Sequence, residues 1–327
     1  MKRALASLIF SLLLVTACAP ASPISEDVFW HMDTAITVRL YGEAAPAQAA
    51  LDNCDEILSE ADRLLSATRA DSPIARFNAS NNGKDVSMPA EVIAMLGKAM
   101  DISQACGGAF DITTAPLSAL WEHCENNNIL PTAEQLSAAL TFIGSDHLSL
   151  DSAILTKDAP DVRIDLGGIG KGYAIDCLLA AMASRDGMMG GIISMGSNVA
   201  VFGNKPDGSP WRIALRDPND TSAAVGYLHL TEGQILSVSG DYERYFTIDG
   251  AHYSHILDPK TGYPPENGLR SVAVLCSDGA TADALSTALM VMGEDAAREL
   301  YESGTLDFEA VFVYDDRVST TEGIELY

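Results

Sequence analysis

Apolar and polar residues alternate from Ala35 to Tyr41, with Ile36, Val38 and Leu40 set against Thr37 and Arg39, which predicts a half-buried β-strand. Beyond it the period lengthens. Leu51, Cys54, Ile57/Leu58, Ala61 and Leu64/Leu65 recur at helical spacing, so a helix is predicted from Pro46 to Leu65, with proline in its first turn. A second helix is predicted from Pro89 to about Ala105, closed by Gly107, and a third from near Gly172 to before Gly187. A brief strand is expected at Val162–Ile164. Further short strands are expected at Gly191–Val201, Trp211–Leu215, Ile235–Val238, Tyr245–Ile248 and Val272–Leu275. A helix over Thr281–Met292, a shorter one to Tyr301, and a last strand pair from Phe308–Tyr314 and the C-terminus complete the pattern. This order is not a regular βαβ alternation, so it argues against a doubly wound nucleotide fold and for an α+β arrangement. No repeat, low-complexity block or interdomain linker interrupts it.

The N-terminus breaks the pattern. Lys2 and Arg3 precede an apolar run from Ala4 to Leu14 that is too short to span a bilayer. Val15-Thr16-Ala17-Cys18 then reads as a lipobox, in which Cys18 is acylated and becomes the new N-terminus. A plain secretory signal cleaved after Ala17 or Ala19 is the competing reading; either places the protein outside the cytoplasm. Acyl chains on Cys18 would anchor it to a membrane, residues Ala19–Glu26 would form a small, polar tether, and 27–327 would be the folded domain.

Charge narrows the partners. Against 20 basic residues stand 45 acidic ones, a formal charge of −25. Such a field repels nucleic acid and anionic lipid head groups, so neither is expected as a partner. A phosphate-bearing ligand would need local cations or a metal. Cys54, Cys106, Cys124, Cys177 and Cys276 are scattered, without C-x-x-C spacing, and read by default as buried free thiols.

Several segments could carry chemistry. Asp165-Leu-Gly-Gly-Ile-Gly-Lys-Gly-Tyr173 stands between the brief strand and a helix, where glycines admit a ligand to the backbone and the helix end offers free N–H groups. It is neither a P-loop nor G-x-G-x-x-G, and a purely structural glycine turn competes with it. Asp283 and Thr287 lie four apart on a predicted helix and so share a face; they could be two oxygen ligands of Mg²⁺, or an ordinary capped first turn. His255, on a strand expected to break at Pro259, could serve as a general base or be structural. Gly107-Gly-Ala-Phe-Asp-Ile-Thr113 and Ser239-Gly-Asp-Tyr-Glu-Arg-Tyr-Phe246, with Arg244 as a phosphate partner, are weaker signals.

Taken in order, Met32-Asp-Thr34, Gly108-Ala-Phe-Asp-Ile-Thr113, Asp165–Ala174, Ser239–Arg244, His255-Ile-Leu-Asp-Pro-Lys-Thr-Gly262 and Asp283–Leu289 resemble the ApbE family, the FAD:protein FMN transferases. The resemblance spans nearly the whole chain after the leader. It implies a mixed fold of short, mostly antiparallel strands with flanking helices and an FAD cleft between two lobes. It implies a reaction in which FMN passes from FAD to a threonine hydroxyl of an acceptor flavoprotein, such as a subunit of a membrane redox complex, with release of AMP. Asp283, Thr287 and the Gly168 carbonyl would then hold Mg²⁺. Met32, Ala109, Phe110, Asp111, Asp165, Lys171 and the backbone at Leu257 would contact FAD, and His255 would deprotonate or orient the incoming hydroxyl. Two positions depart from the family pattern: Thr68 replaces an aromatic expected over the adenine, and Ser197 replaces a glycine in Ser194–Asn198. Thr68 keeps open a Mg²⁺-dependent FAD pyrophosphatase, and a non-catalytic flavin-binding lipoprotein is the third alternative.

Overall fold

The computed structural model describes residues 25–81, 84–183 and 186–327; Cys18, its leader and most of the expected tether lie outside them. The chain opens with β1 (Ser25–His31), β2 (Thr34–Gly42), α1 (Ala44–Leu65) and α2 (Pro73–Asn78). Next come β3 (Val86–Ser87), α3 (Ala90–Ala105), α4 (Ala115–Asn126), α5 (Ala133–Leu140), β4 (Leu148–Asp151) and β5 (Ile154–Lys157). The middle holds α6 (Gly170–Ala183), β6 (Met188–Met195), β7 (Asn198–Gly203), β8 (Trp211–Arg216), β9 (Ala224–Leu230) and β10 (Ile235–Gly240). After β11 (Tyr245–Ile248) and β12 (Ala251–Ser254), the chain ends with β13 (Ser271–Cys276), α7 (Gly279–Met292), α8 (Glu294–Ser303), β14 (Glu309–Val313) and β15 (Val318–Thr320).

An eight-stranded antiparallel sheet, in the order β1-β2-β6-β7-β10-β13-β14-β15, is the platform. Its central strands are apolar on both faces because both faces are covered. In β13, Val272 and Val274 join the core that contains α1, α6 and α7, while Ala273 and Leu275 face the β8–β9 hairpin. Strand β14 repeats this, with Ala310 and Phe312 on the helix side and Val311 and Val313 on the other. The side-chain period of two therefore sorts one apolar run into two cores. A third cluster joins Leu117, Trp121 and Cys124 of α4 to Leu136, Ile248 and Leu257, beneath the β11–β12 hairpin. Mixed helices and antiparallel strands agree with the α+β expectation.

Three sequence expectations change. Strand β1 begins at Ser25 and pairs with β2 from Ser25↔Leu40 onward, so Ser25 and Glu26 belong to the sheet and not to the tether. Gly191–Val201 is not one strand but the β6–β7 hairpin, which reverses between the paired residues Met195 and Asn198. Val162–Ile164 pairs with no strand. The Asn78 side chain takes the neighbour's role instead: its Nδ2 donates to the Ile164 carbonyl at 2.8 Å, and the Ile164 N–H donates to its Oδ1 at 2.7 Å. Of the cysteines among the described residues, Cys54, Cys106 and Cys124 are buried, whereas Cys177 and Cys276 are only partly so. No helix among the described residues is long and apolar enough to cross a membrane.

Helices α6 and α7 meet backbone to backbone at their N-termini. A Cβ on Gly172 would stand 1.9 Å from the Gly279 carbonyl oxygen, a contact that no side-chain motion relieves. Gly172→Ala is therefore expected to cost about 3 kcal/mol or more of unfolding free energy by forcing the helices apart. Urea denaturation of the variant measures this; a loss under about 1 kcal/mol would show that the contact yields.

Candidate active site

The glycine-rich segment is aimed by its surroundings. The buried Lys157 ammonium donates to the carbonyls of Pro160 (3.0 Å) and Val162 (2.9 Å), fixing the approach. The Asp165 N–H then donates to the Ile112 carbonyl at 2.8 Å, and Asp165 Oδ1 accepts the Gly167 N–H at 2.8 Å, closing an Asx turn. Helix α6 follows from Gly170, so Gly168 lies in the turn that leads into it and Lys171 in its first turn.

Helix α7 faces this turn. Asp283 is buried; its Oδ2 accepts the Gly172 N–H at 3.0 Å, and Lys171 Nζ lies 3.5 Å from its Oδ1. Ser237 Oγ stands 3.3 Å from that Oδ1 but donates its single proton over the shorter 2.7 Å contact to Asn198 Oδ1. One Asp283 oxygen therefore keeps acceptor capacity. Thr287 lies one helical turn on, its hydroxyl 3.3 Å from that of Ser239. Gly168 stands against it: a Cβ there would lie 3.5 Å from Thr287 Oγ1 and 3.2 Å from the Phe110 ring. Gly168 thus stands beside Thr287, one helical turn from the Asp283 carboxylate; a carboxylate, a hydroxyl and a backbone carbonyl are the hard oxygen donors that suit Mg²⁺. The Lys171 ammonium, donating to the Gly167 carbonyl at 3.2 Å, already occupies a place that calls for positive charge.

Two loops frame the turn. Gly107 (φ +58°) and Gly108 (φ +81°) end α3 in a Schellman pattern, with Gly108 N–H donating to Ser103 O and Gly107 N–H to Gln104 O. This reversal delivers Phe110 to Gly168. Asp111 serves the loop itself: Oδ1 accepts from the Thr113 N–H and hydroxyl, and Oδ2 from the Ser145 N–H and hydroxyl. On the other side, β1 and β2 are joined by Met32 (φ 51°) and Asp33 (φ 55°), a two-residue turn with both residues left-handed. A Cβ on Gly170 would stand 3.2 Å from the Met32 methyl and 3.4 Å from Leu65, the last residue of α1. Thr68 follows on an exposed turn held by the Ser66 hydroxyl, which accepts the N–H groups of Thr68 and Arg69.

His255 lies just past the end of β12, not within it, opposite Arg244. Its Nδ1 is 2.7 Å from the Arg244 carbonyl, which only accepts, so Nδ1 carries the proton and Nε2 keeps its lone pair. Burial, opposed by that hydrogen bond and reinforced by the Arg244 and Lys171 charges, brings its pKa down to about 4. The ring is neutral near pH 7. Leu257 is packed under the same hairpin against α4. Burial raises the Glu243 pKa, while the Lys171 charge and a hydrogen bond from Ser197 lower it.

The ApbE family model matches residues 32–312. The chain belongs to the ApbE family. An FAD:protein FMN transferase of Vibrio cholerae is 33% identical over 80% of this chain and 79% of its own length. One of Escherichia coli K12 is 34% identical over 73% and 70%. Among solved structures, the flavin transferase ApbE of Vibrio cholerae covers 91% of this chain and 96% of its own at 28% identity and TM-score 0.80. The ApbE protein of Thermotoga maritima gives TM-score 0.82 over 91% of this chain and 97% of its own, also at 28% identity.

Sequence reasoning did not single out Glu243, Ser237 or Asp176. Asp176 interrupts the apolar run Ala174–Leu179 of α6, the one signal that could have found it. Its oxygens accept the N–H groups of Gly279 (2.7 Å) and Ala280 (2.9 Å) at the start of α7. Burial nevertheless raises its pKa from 3.8 to about 6, against those hydrogen bonds. A raised carboxylate pKa means the folded state holds the proton more tightly than the unfolded chain, so this group's contribution weakens as pH rises from about 4 to 6. Asp176→Asn removes the titration, and its stability relative to wild type is expected to rise with pH across that window. Denaturant melts at pH 4, 5, 6 and 7 check this; a pH-independent difference would refute it.

Proposed function

We propose that this ApbE member is a Mg²⁺-dependent FAD:protein FMN transferase, acting outside the cytoplasm from a lipid anchor at Cys18 on a threonine hydroxyl of an acceptor flavoprotein, such as a subunit of a membrane redox complex. What carries the proposal is one juxtaposition: oxygen donors at Gly168, Asp283 and Thr287 share the Lys171 charge with a neutral His255 whose Nε2 is unblocked. A bound Mg²⁺ would supply charge neutralisation at the FAD pyrophosphate, which a protein of charge −25 otherwise disfavours. Met32, Ala109, Phe110, the loop pinned by Asp111, Asp165, Lys171 and the backbone at Leu257 would hold FAD around it. His255 Nε2 would take the proton of the incoming hydroxyl. The oxygen then forms a bond to the FMN phosphorus, the bridging P–O bond breaks, and its electron pair leaves with AMP.

Water could replace threonine as acceptor, and the exposed Thr68, offering no aromatic surface to an adenine, favours this second reading. The full chain in detergent, given FAD and Mg²⁺ with and without a threonine-bearing acceptor domain, separates the two. AMP and covalent flavin arising only with acceptor is the expected result. AMP without acceptor means hydrolysis, and no AMP in either arm rejects both reactions. Asp283→Ala should lower turnover more than about a hundredfold; unchanged activity with unchanged Mg²⁺ dependence would reject the ligand assignment.

A base works deprotonated, so activity should be lost on acidification. Because the His255 pKa sits at about 4, the acid limb of kcat/KM is expected near there and not near 6.5. His255→Gln should remove that limb and lower kcat/KM by about 10²–10⁴. A retained limb at the same pH would assign it to another group.

A further inference from the structure

Strand β1 turns one face to α1 and leaves the other open. Phe29 packs against the helix-side core and His31 Nε2 lies 2.8 Å from Asp55 of α1, so the alternate residues Glu26, Val28 and Trp30 point away from that helix. Trp30 is 70% exposed, more than any other large hydrophobic side chain among the described residues, and Val28 beside it is 57% exposed. Val28 pairs with Thr37 and Trp30 with Ala35, which carry the open surface onto β2. The β8–β9 hairpin covers this side of the sheet only further along, where Tyr41 and Ile192 pack against it. The open corner is also electrically neutral. Among Glu26, Val28, Trp30, Ala35, Thr37 and Arg39, only Glu26 and Arg39 are charged, and they pair with each other at 2.7 Å in a chain of formal charge −25.

We propose that this corner, centred on Trp30 and Val28, rests on the surface of the bilayer that holds the Cys18 anchor. This rests on the lipid-anchor reading and adds to it a second, non-covalent contact. Ser25 lies seven residues beyond Cys18, so β1 begins within about 25 Å of the acylated sulfur even at full extension. Tryptophan is a side chain that membrane interfaces favour, because its ring is apolar while its N–H can stay among the head groups. Neutrality spares the corner the repulsion that anionic lipid exerts on the rest of the chain. A second copy would instead bring one strongly acidic surface against another. Two apolar side chains are too little to bind a vesicle from solution. On a short tether the local lipid concentration is already high, so a weak contact is enough to orient the domain. Trp30 stands two residues before Met32, whose methyl would lie 3.2 Å from a Cβ on Gly170 at the start of α6. Contact here would hold the β1–β2 turn, and the candidate site behind it, low over the membrane, within reach of an acceptor threonine presented near the lipid surface.

Tryptophan fluorescence tests this, because the other two of the three tryptophans, Trp121 and Trp211, are buried. The full chain, purified from membranes, is reconstituted into phosphatidylcholine vesicles with and without bromine high on the acyl chains. Wild-type emission minus that of Trp30→Phe, a variant that keeps the corner apolar, isolates Trp30. An interfacial apolar face sinks about 5–10 Å into the head-group boundary, within reach of those bromines, so Trp30 emission should fall at least about twofold on brominated vesicles. The emission left in Trp30→Phe should be unchanged by bromine. Equal Trp30 emission on both lipids, from protein that floats with the vesicles, would overturn the contact and leave the anchor standing. Bromine-independent emission that shifts to the blue as copies per vesicle increase would assign the corner to a second copy. A blue shift seen only on adding an acceptor domain would assign it to that protein, and either result overturns the contact with lipid. The anchor has its own measurement, the mass of the N-terminal peptide, which should begin at acylated Cys18. An unacylated N-terminus would reject the anchor and the contact with it.

Discussion

Everything at the site depends on a reciprocal exchange between two helix N-termini. Asp283 of α7 accepts the Gly172 N–H at the start of α6, and Asp176 of α6 accepts the N–H groups of Gly279 and Ala280 at the start of α7. Each carboxylate thereby satisfies donors that a helix cannot satisfy itself, and each sits at the positive end of a macrodipole. The bare backbones of Gly172 and Gly279 are what let the ends come this close. A chain of charge −25 can bury two acids in this place because the helix ends supply the compensating partial charge. The bond that packs the helices is also the bond that holds Asp283 beside Lys171.

The sheet contributes a local change of chemistry. Strand β10 begins apolar on the face under α7, at Ile235, but the next residues on that face are Ser237 and Ser239. Their hydroxyls meet Ser286 and Thr287, so α7 is seated on a polar patch just where its functional side chains emerge. Beneath α7 the sheet thus trades apolar packing for hydrogen bonding, which holds those side chains in one arrangement.

Periodicity located the long helices within two residues at most boundaries: α1, α3 and α7 begin and end close to where their apolar stripes do. It missed β1, because an edge strand leaves Val28 and Trp30 exposed and so loses the alternation that burial imposes. It misread Val162–Ile164, where an asparagine 86 residues away does the work of a strand. At the candidate site, spacing alone put Asp283 and Thr287 on one face of a helix, as α7 has them, since four residues make one helical turn; a metal role for them was one of two readings, favoured only through resemblance to the family. Gly168 was not legible, because a carbonyl leaves no mark on side-chain identity and entered only through resemblance to the family. Asp176 and Glu243 were hidden among 45 acidic residues, where type says nothing and only position matters.

The turn between β1 and β2 carries a further meaning. Asn-Gly is the pair that such a two-residue left-handed turn ordinarily prefers, yet Met32 and Asp33 occupy it, at a cost of about 1 kcal/mol or more each. Two substitutions in a partly exposed hairpin would relieve that strain. The strained turn lies against Gly170, at the start of the helix that carries Lys171, so relaxing it would also move that helix end. A search for more thermostable variants would therefore drift first towards Asn-Gly here, and its winners would be the ones to distrust.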